Sequence, residues 1–194
     1  MKKSILKLIL LAAFVVCAGG SQAWAGPLTI YLQWSGASFG NTATATGYMT
    51  VDAAAIPNPG SYGPLALPSW LEDLSITVTG ASSGNGTFTL PDFYDMVWNT
   101  NGGTLDLTEQ LFGQPTSGSP WGTPNGHGGD LNFWSSGAGE PSAYTYFTLA
   151  TSGGDGDWLL LVSATANPVP EPATCALLAA GLAGLVILKR KRMA

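Results

Sequence analysis

Apolar and polar positions alternate with a period of two over most of the chain between residues 26 and 168. In Leu28–Trp34, the residues Leu28, Ile30, Leu32 and Trp34 fall on one side. In Thr44–Asp52, Ala45, Gly47, Met49 and Val51 oppose Thr44, Thr46, Tyr48 and Thr50. In Leu74–Thr79, Leu74, Ile76 and Val78 oppose Ser75, Thr77 and Thr79. Ala143–Ala150 and Trp158–Ala164 read the same way, and Gly86–Leu90, Asp95–Thr100 and Leu131–Trp134 are shorter candidates. Successive side chains of a strand point to opposite faces, so this alternation marks half-buried strands. Each run is bounded by Gly, Pro, Asn or Ser, the residues of turns. The pattern predicts an all-β domain, an antiparallel β-sandwich with the jelly roll among its topologies. Only Asp106–Phe112 and Ser69–Asp73 have the make-up of a short helical turn.

Two stretches stand apart from the strands. Gly36-Ala37-Ser38-Phe39-Gly40-Asn41 is echoed by Gly80-Ala81-Ser82-Ser83-Gly84-Asn85, each after one expected strand and before a Thr-rich one. Six residues of turn composition recur easily, so one turn chemistry used twice explains the echo better than an old duplication. From Gly113 to Asp130 the chain is almost all Gly, Pro, Ser, Thr and Asn, with Trp121 and His127 inside. A connection of that length is unusual, and such loops are either functional or poorly ordered.

The two ends have a different character. Lys2 and Lys3 precede an apolar run, Ile5 to Ala18, interrupted only by Lys7. Gly19, Gly20 and Ser21 break it, and Ala23-Trp24-Ala25 puts small residues at the −3 and −1 positions of a cleavage site. Residues 1–25 therefore read as a signal peptide cut by signal peptidase after Ala25. At the other end, 169–194 begins with Val169-Pro170-Glu171-Pro172, whose prolines hold the peptide extended. An apolar stretch follows, expected as a transmembrane helix over 173–188, spanning roughly 24 Å and short for a bilayer core of about 30 Å. The cluster Lys189, Arg190, Lys191 and Arg192 would stay cytoplasmic and leave the domain outside.

This three-part tail resembles the PEP-CTERM sorting signal of exported bacterial proteins. The resemblance implies an inner-membrane-anchored intermediate with a periplasmic domain, recognised through Pro170, Glu171 and Pro172 by a membrane-embedded exosortase. It also implies cleavage near that triplet and delivery to the cell surface or extracellular matrix, in bacteria that make exopolysaccharide.

Charge narrows the choice for the domain, 26–168. The net charge of −5 hides a complete segregation: all seven basic residues lie at the extremes, and between Leu8 and Leu188 there is no Lys or Arg. All twelve acidic residues lie in that span. No carboxylate–Lys/Arg pair can form within the domain, and nucleic acid is excluded as a partner because phosphate binding relies on Lys and Arg. Cys17 and Cys175 both lie in the end segments, so the domain has neither an internal disulfide nor a Cys-ligated zinc site.

Candidate chemistry is sparse. The carboxylates come in pairs, Glu72/Asp73, Asp92/Asp95, Asp106/Glu109 and Asp155/Asp157, but glycoside hydrolysis needs two of them across a bond, which spacing in sequence does not show. His127 is the only histidine, in a Gly-rich loop that would hold an imidazole poorly, and no nucleophile elbow is present. Asp155 and Asp157 in Gly153–Asp157, and Asp130 at the end of Asn125–Asp130, place oxygen ligands among glycines and are candidate ligands for Ca2+. Of the domain's tryptophans, Trp34 and Trp158 sit on apolar stripes, whereas Trp121, in the polar loop, is the candidate for an exposed ring that stacks on a sugar. The expectation is a non-enzymatic surface protein, structural or adhesive and linked to exopolysaccharide and biofilm. A carbohydrate-binding module, with calcium assisting, is the alternative, and a carbohydrate-active enzyme the third.

Overall fold

The computed structural model describes residues 27–135, 146–154 and 156–168. The expected signal peptide with Ala23 and Ala25, the Pro170–Pro172 triplet, the 173–188 helix, the 189–192 cluster and Asp155 all lie outside the described residues. Among the described residues no helix is long and apolar enough to cross a membrane.

Nine strands form two antiparallel sheets. They are β1 (Pro27–Ser35), β2 (Thr44–Asp52), β3 (Ser61–Ala66), β4 (Leu71–Thr79), β5 (Gly86–Thr89), β6 (Phe93–Asn99), β7 (Asp130–Ser135), β8 (Thr148–Ala150) and β9 (Trp158–Pro168). The larger sheet has the order β5-β4-β2-β1-β9-β8, the smaller β3-β6-β7. The expected apolar stripes of β1, β2 and β4 face inward, whereas in β9 Leu159 and Leu161 are buried and Val162 is exposed. Leu28, Ile30, Leu32 and Trp34 of β1, Met49 and Val51 of β2, and Leu74, Ile76 and Val78 of β4 are buried in one core shared by both sheets. Period-two patterning thus gave the right faces because a strand with one side in the core cannot slip by one residue without inverting.

Four sequence expectations are corrected. A jelly roll would have two sheets of four strands. Here six and three strands form, and β1, β2 and β4 run as neighbours in one sheet. β3 was not expected. It contains Gly63 and Pro64, which cannot serve a central strand, and it is accordingly an edge strand whose register shifts between Tyr62 and Leu65. Neither expected helical turn forms a helix. Leu71 opens β4, and in Asp106–Phe112 a single turn, Glu109 N–H to Asp106 O, leads into a bridge between Gln110 and Thr165 of β9. Of the expected strand Ala143–Ala150, residues 143–145 lie outside the described residues, and β8 takes up Thr148–Ala150.

The loop from Thr100 to Gly129 is a built part of the domain. Leu105, Leu111 and Trp121 on it are buried in the common core. Gln110 is laid along β9, its Oε1 accepting from Ala164 N–H at 2.9 Å and its Nε2 donating to Ser163 Oγ at 2.8 Å and Thr165 Oγ1 at 3.1 Å. Leu111 N–H adds a bond to Ala164 O at 2.8 Å. Backbone groups along this part of β9 thereby gain partners, which blunts an edge open to pairing with another chain.

The echoed turns lie at one end of the larger sheet and share a left-handed glycine, although only the first holds a 3-10 turn, Ala37–Phe39. Gly40 and Gly84, at matching places, both adopt left-handed backbone, φ 74° and 75°. The asparagine that follows each closes its turn. Asn41 Oδ1 accepts from Ala43 N–H, and Asn85 Oδ1 accepts from Ala81 N–H. The β8–β9 turn joins them: Asn41 Nδ2 donates to Trp158 O, and Ser82 N–H donates to the Asp157 carboxylate. Ser82 follows β4 and Asp157 precedes β9, with β2 and β1 between them in the sheet. For these groups to meet, the sheet must curl towards a half-barrel.

Candidate functional site

The most built polar feature lies where the two sheets approach each other. Asp130 and Asn132 are two apart on β7, hence on one face, and both are buried. Asp130 Oδ1 accepts from Phe147 N–H and from Asn132 Nδ2, each at 2.8 Å. Asn132 Oδ1 accepts from Thr148 N–H at 2.9 Å. Two side chains of the smaller sheet thus hold the start of β8 in the larger one, where no backbone ladder joins them. Phe147 is held in left-handed backbone, φ 59°, a conformation that costs a non-glycine residue about 1–2 kcal/mol. The Asp130 bond and complete burial of the Phe147 ring keep it there.

Burial pushes the Asp130 carboxyl up to about 7, against the lowering effect of its hydrogen bonds with Phe147, Asn132 and Leu131. It lines an open groove of about 340 Å3, together with Tyr62 of β3, Asn99 of β6 and Tyr146 before β8. Tyr62 and Tyr146 bring phenol rings and Asn99 an amide to the groove's lining, groups that can meet hydroxyls or an apolar patch, whereas Asp130, 1% exposed, serves Phe147 and Asn132.

Trp121 is corrected. It is 1% exposed, in the middle of the core. Its ring stands 4.9 Å from that of Phe147, 5.6 Å from Phe112 and 5.7 Å from Trp98, and its Nε1 donates to Asn99 O at 3.0 Å. Polar sequence neighbours made it look exposed, yet its partners come from distant segments. In this position it can stack on no sugar.

The remaining expected residues are dispersed. Asp157 Oδ2 accepts from Ser82 N–H in the turn cluster, whereas Asp130 serves Phe147 and Asn132. Among the described residues no three of His, Cys, Asp and Glu come together. The carboxylates serve local structure. Asp92 accepts from Thr89 N–H and Oγ1 at the start of a 3-10 turn, Leu90–Asp92. Asp106 accepts from the Oγ1 and N–H of Thr108, which holds its carboxyl below the usual range. His127 is exposed, and its segment is pinned through the backbone: His127 O accepts from Ser119 N–H and from Asn101 Nδ2.

The described residues thus define an all-β domain of two antiparallel sheets with an open groove beside Asp130. The chain that carries this domain matches the PEP-CTERM protein-sorting motif over residues 168–192, as its three-part tail led one to expect. The chain thus carries a PEP-CTERM sorting motif, which supports export and implies an exosortase as the processing partner. No curated protein and no solved structure matches the chain.

Proposed function

We propose that this protein is an adhesive or structural component of the cell surface or extracellular matrix, non-enzymatic, and left outside the cell when the sorting segment is removed. The observation that carries this reading is the join between domain and motif. β9 runs to Pro168, where the matched motif begins, so no further folded unit separates the all-β domain from the sorting machinery. A domain of this kind, without a basic residue in its span, is soluble through its acids and hydroxyls and suits an extracellular surface role.

Intact mass of the protein taken from native cell surfaces, with its C-terminus mapped by an Asp- or Glu-directed protease, tests delivery. Trypsin is unsuitable, since it has no site between Lys7 and Lys189. A terminus between Pro170 and Thr174 is expected. A chain still ending in Arg192-Met193-Ala194 would overturn surface release. Deletion of the gene should weaken matrix retention or cell attachment while leaving growth unchanged; an unaltered biofilm would overturn the adhesive role.

A second reading is favoured by the groove at Asp130, whose lining tyrosines and amide are groups suited to a short saccharide. Soaking or titration with defined oligosaccharides, followed through tyrosine fluorescence in the wild type and a Tyr62→Ala variant, tests it.

A further inference from the structure

The outward face of the larger sheet is used neither by the core nor by the groove, and its composition is unusual. Strand pairing sets its residues in ranks. One rank crosses five strands as Thr87, Thr77, Thr46, Gln33 and Ser163. The next crosses them as Thr89, Ser75, Tyr48, Tyr31 and Thr165. At strand spacing each rank extends about 19 Å. Cross-strand hydroxyls bond one another, Thr77 with Thr87 at 2.8 Å and Thr44 with Thr79 at 3.0 Å, and each hydroxyl still has hydrogen-bonding capacity to spare. Tyr31 and Tyr48 stand side by side in the middle of the face, Tyr31 49% exposed.

Thr and Tyr serve β propensity and Thr–Thr pairs stabilise a sheet, but sheet stability does not ask that an exposed face leave out the Lys and Glu that would serve solubility. Yet every outward position in Thr44–Thr50 and Ser75–Thr79, and both Thr87 and Thr89, carries a hydroxyl. The acids Asp52, Glu72 and Asp73 are confined to one end, where Asp73 accepts from the Tyr48 hydroxyl at 3.0 Å.

We propose that this face is a docking surface for extended chains of neutral polysaccharide, an inference that rests on the adhesive reading above. The partner's chemistry follows from the charge. A face with no Lys or Arg, on a domain that is otherwise acidic, gives a polyanionic glycan nothing to pair with and repels it. A neutral glycan loses nothing by that charge and matches the ranks with hydroxyls of its own, which both donate and accept. Single hydroxyl contacts in water are weak, so a polymer that engages several ranks at once is the ligand that gains. The Tyr31–Tyr48 pair supplies the apolar platform on which a sugar ring can lie.

Affinity electrophoresis of the protein purified from the cells that make it tests this, in gels holding galactomannan, xyloglucan, β-1,3-glucan or agarose, with alginate and hyaluronan as polyanionic controls. Retardation is expected in at least one neutral gel and in neither control. Tyr31→Ala should weaken it at least tenfold, and a Thr46→Val, Thr77→Val pair should weaken it while keeping the fold, checked by circular dichroism. Tyr62→Ala, in the groove, should leave it unchanged. No retardation in any neutral gel would overturn the proposal, as would stronger retardation in alginate, or loss on Tyr62→Ala with Tyr31→Ala unaffected. Surface release and matrix retention, measured separately, would stand or fall on their own.

Discussion

At the scale of single residues, the most misleading position in the sequence is the most informative in the structure. Trp121 sits between Pro120 and Gly122 in a polar loop, and nothing within several residues foretells burial. Its burial depends on Trp98, Phe112 and Phe147, which only the tertiary fold assembles. Trp121→Ala should cost about 3–5 kcal/mol, read as a lower urea midpoint, because it opens a cavity at the centre of four packed rings. A change below 1 kcal/mol would mean that the loop does not hold the core together. Asp130 gives a pH signature. Its carboxyl titrates at about 7 when folded and at the ordinary value of 3.8 when unfolded. Between those values the folded form keeps a proton that the unfolded chain has released. Its contribution to stability is therefore complete at acid pH, falls as pH rises, and levels off above neutrality. From pH 5 to pH 7 the wild type should lose about 2 kcal/mol relative to Asp130→Asn, measured by chemical unfolding at each pH. A difference independent of pH would contradict a buried protonated carboxyl.

At the scale of elements, what was legible is what alternation alone determines. β1, β2 and β4 each bury one stripe, and a stripe is a local property. β3 was hidden because Gly63 and Pro64 read as a turn, and only pairing with β6 makes the segment a strand. The Asp130–Asn132 stitch was equally hidden: Asp130 drew notice for its glycine neighbours, whereas the pair reaches across to Phe147 and Thr148. The echoed turns were legible as composition, and the structure adds why both end in asparagine. Asn41 ties its own turn to the β8–β9 turn through Trp158 O at 3.0 Å. Asn41→Ala should cost about 1–2 kcal/mol in thermal or urea unfolding, whereas Asn85→Ala, whose bonds stay within an exposed turn, should cost less. Equal costs would argue against a role for Asn41 in joining the turns.

At the scale of the whole molecule, the first and last strands are neighbours. Leu28 pairs with Pro168, and the ladder continues to Ser35 with Leu160. β9 also brings Leu159, Leu161, Ala164 and Ala166 into the core. A chain ending at residue 157 should therefore remain unfolded by circular dichroism and be digested rapidly, while one ending at residue 168 should fold with the stability of the processed protein. Retention of native signal without β9 would show that the sheet closes without its C-terminal strand. The fold is thus completed by the residues that immediately precede the sorting motif, and the span between the basic ends, which holds acids but no Lys or Arg, has no Lys/Arg–carboxylate pairs with which to stabilise a shorter version.

The pairing of the two termini also gives the molecule a direction. Four residues separate Pro168 from Ala173, so the covalent reach over the five steps is at most about 18 Å. Whatever holds the protein at the sorting segment therefore holds the end of the sheet where β1 begins and β9 stops. The three joined turns lie at the other end of β1, about 30 Å away for a nine-residue strand. A reporter peptide spliced at Ser38 or Ser83 would stand out towards the medium, readable by an antibody on intact cells. The same reporter placed just ahead of Pro27 would be sheltered against the envelope.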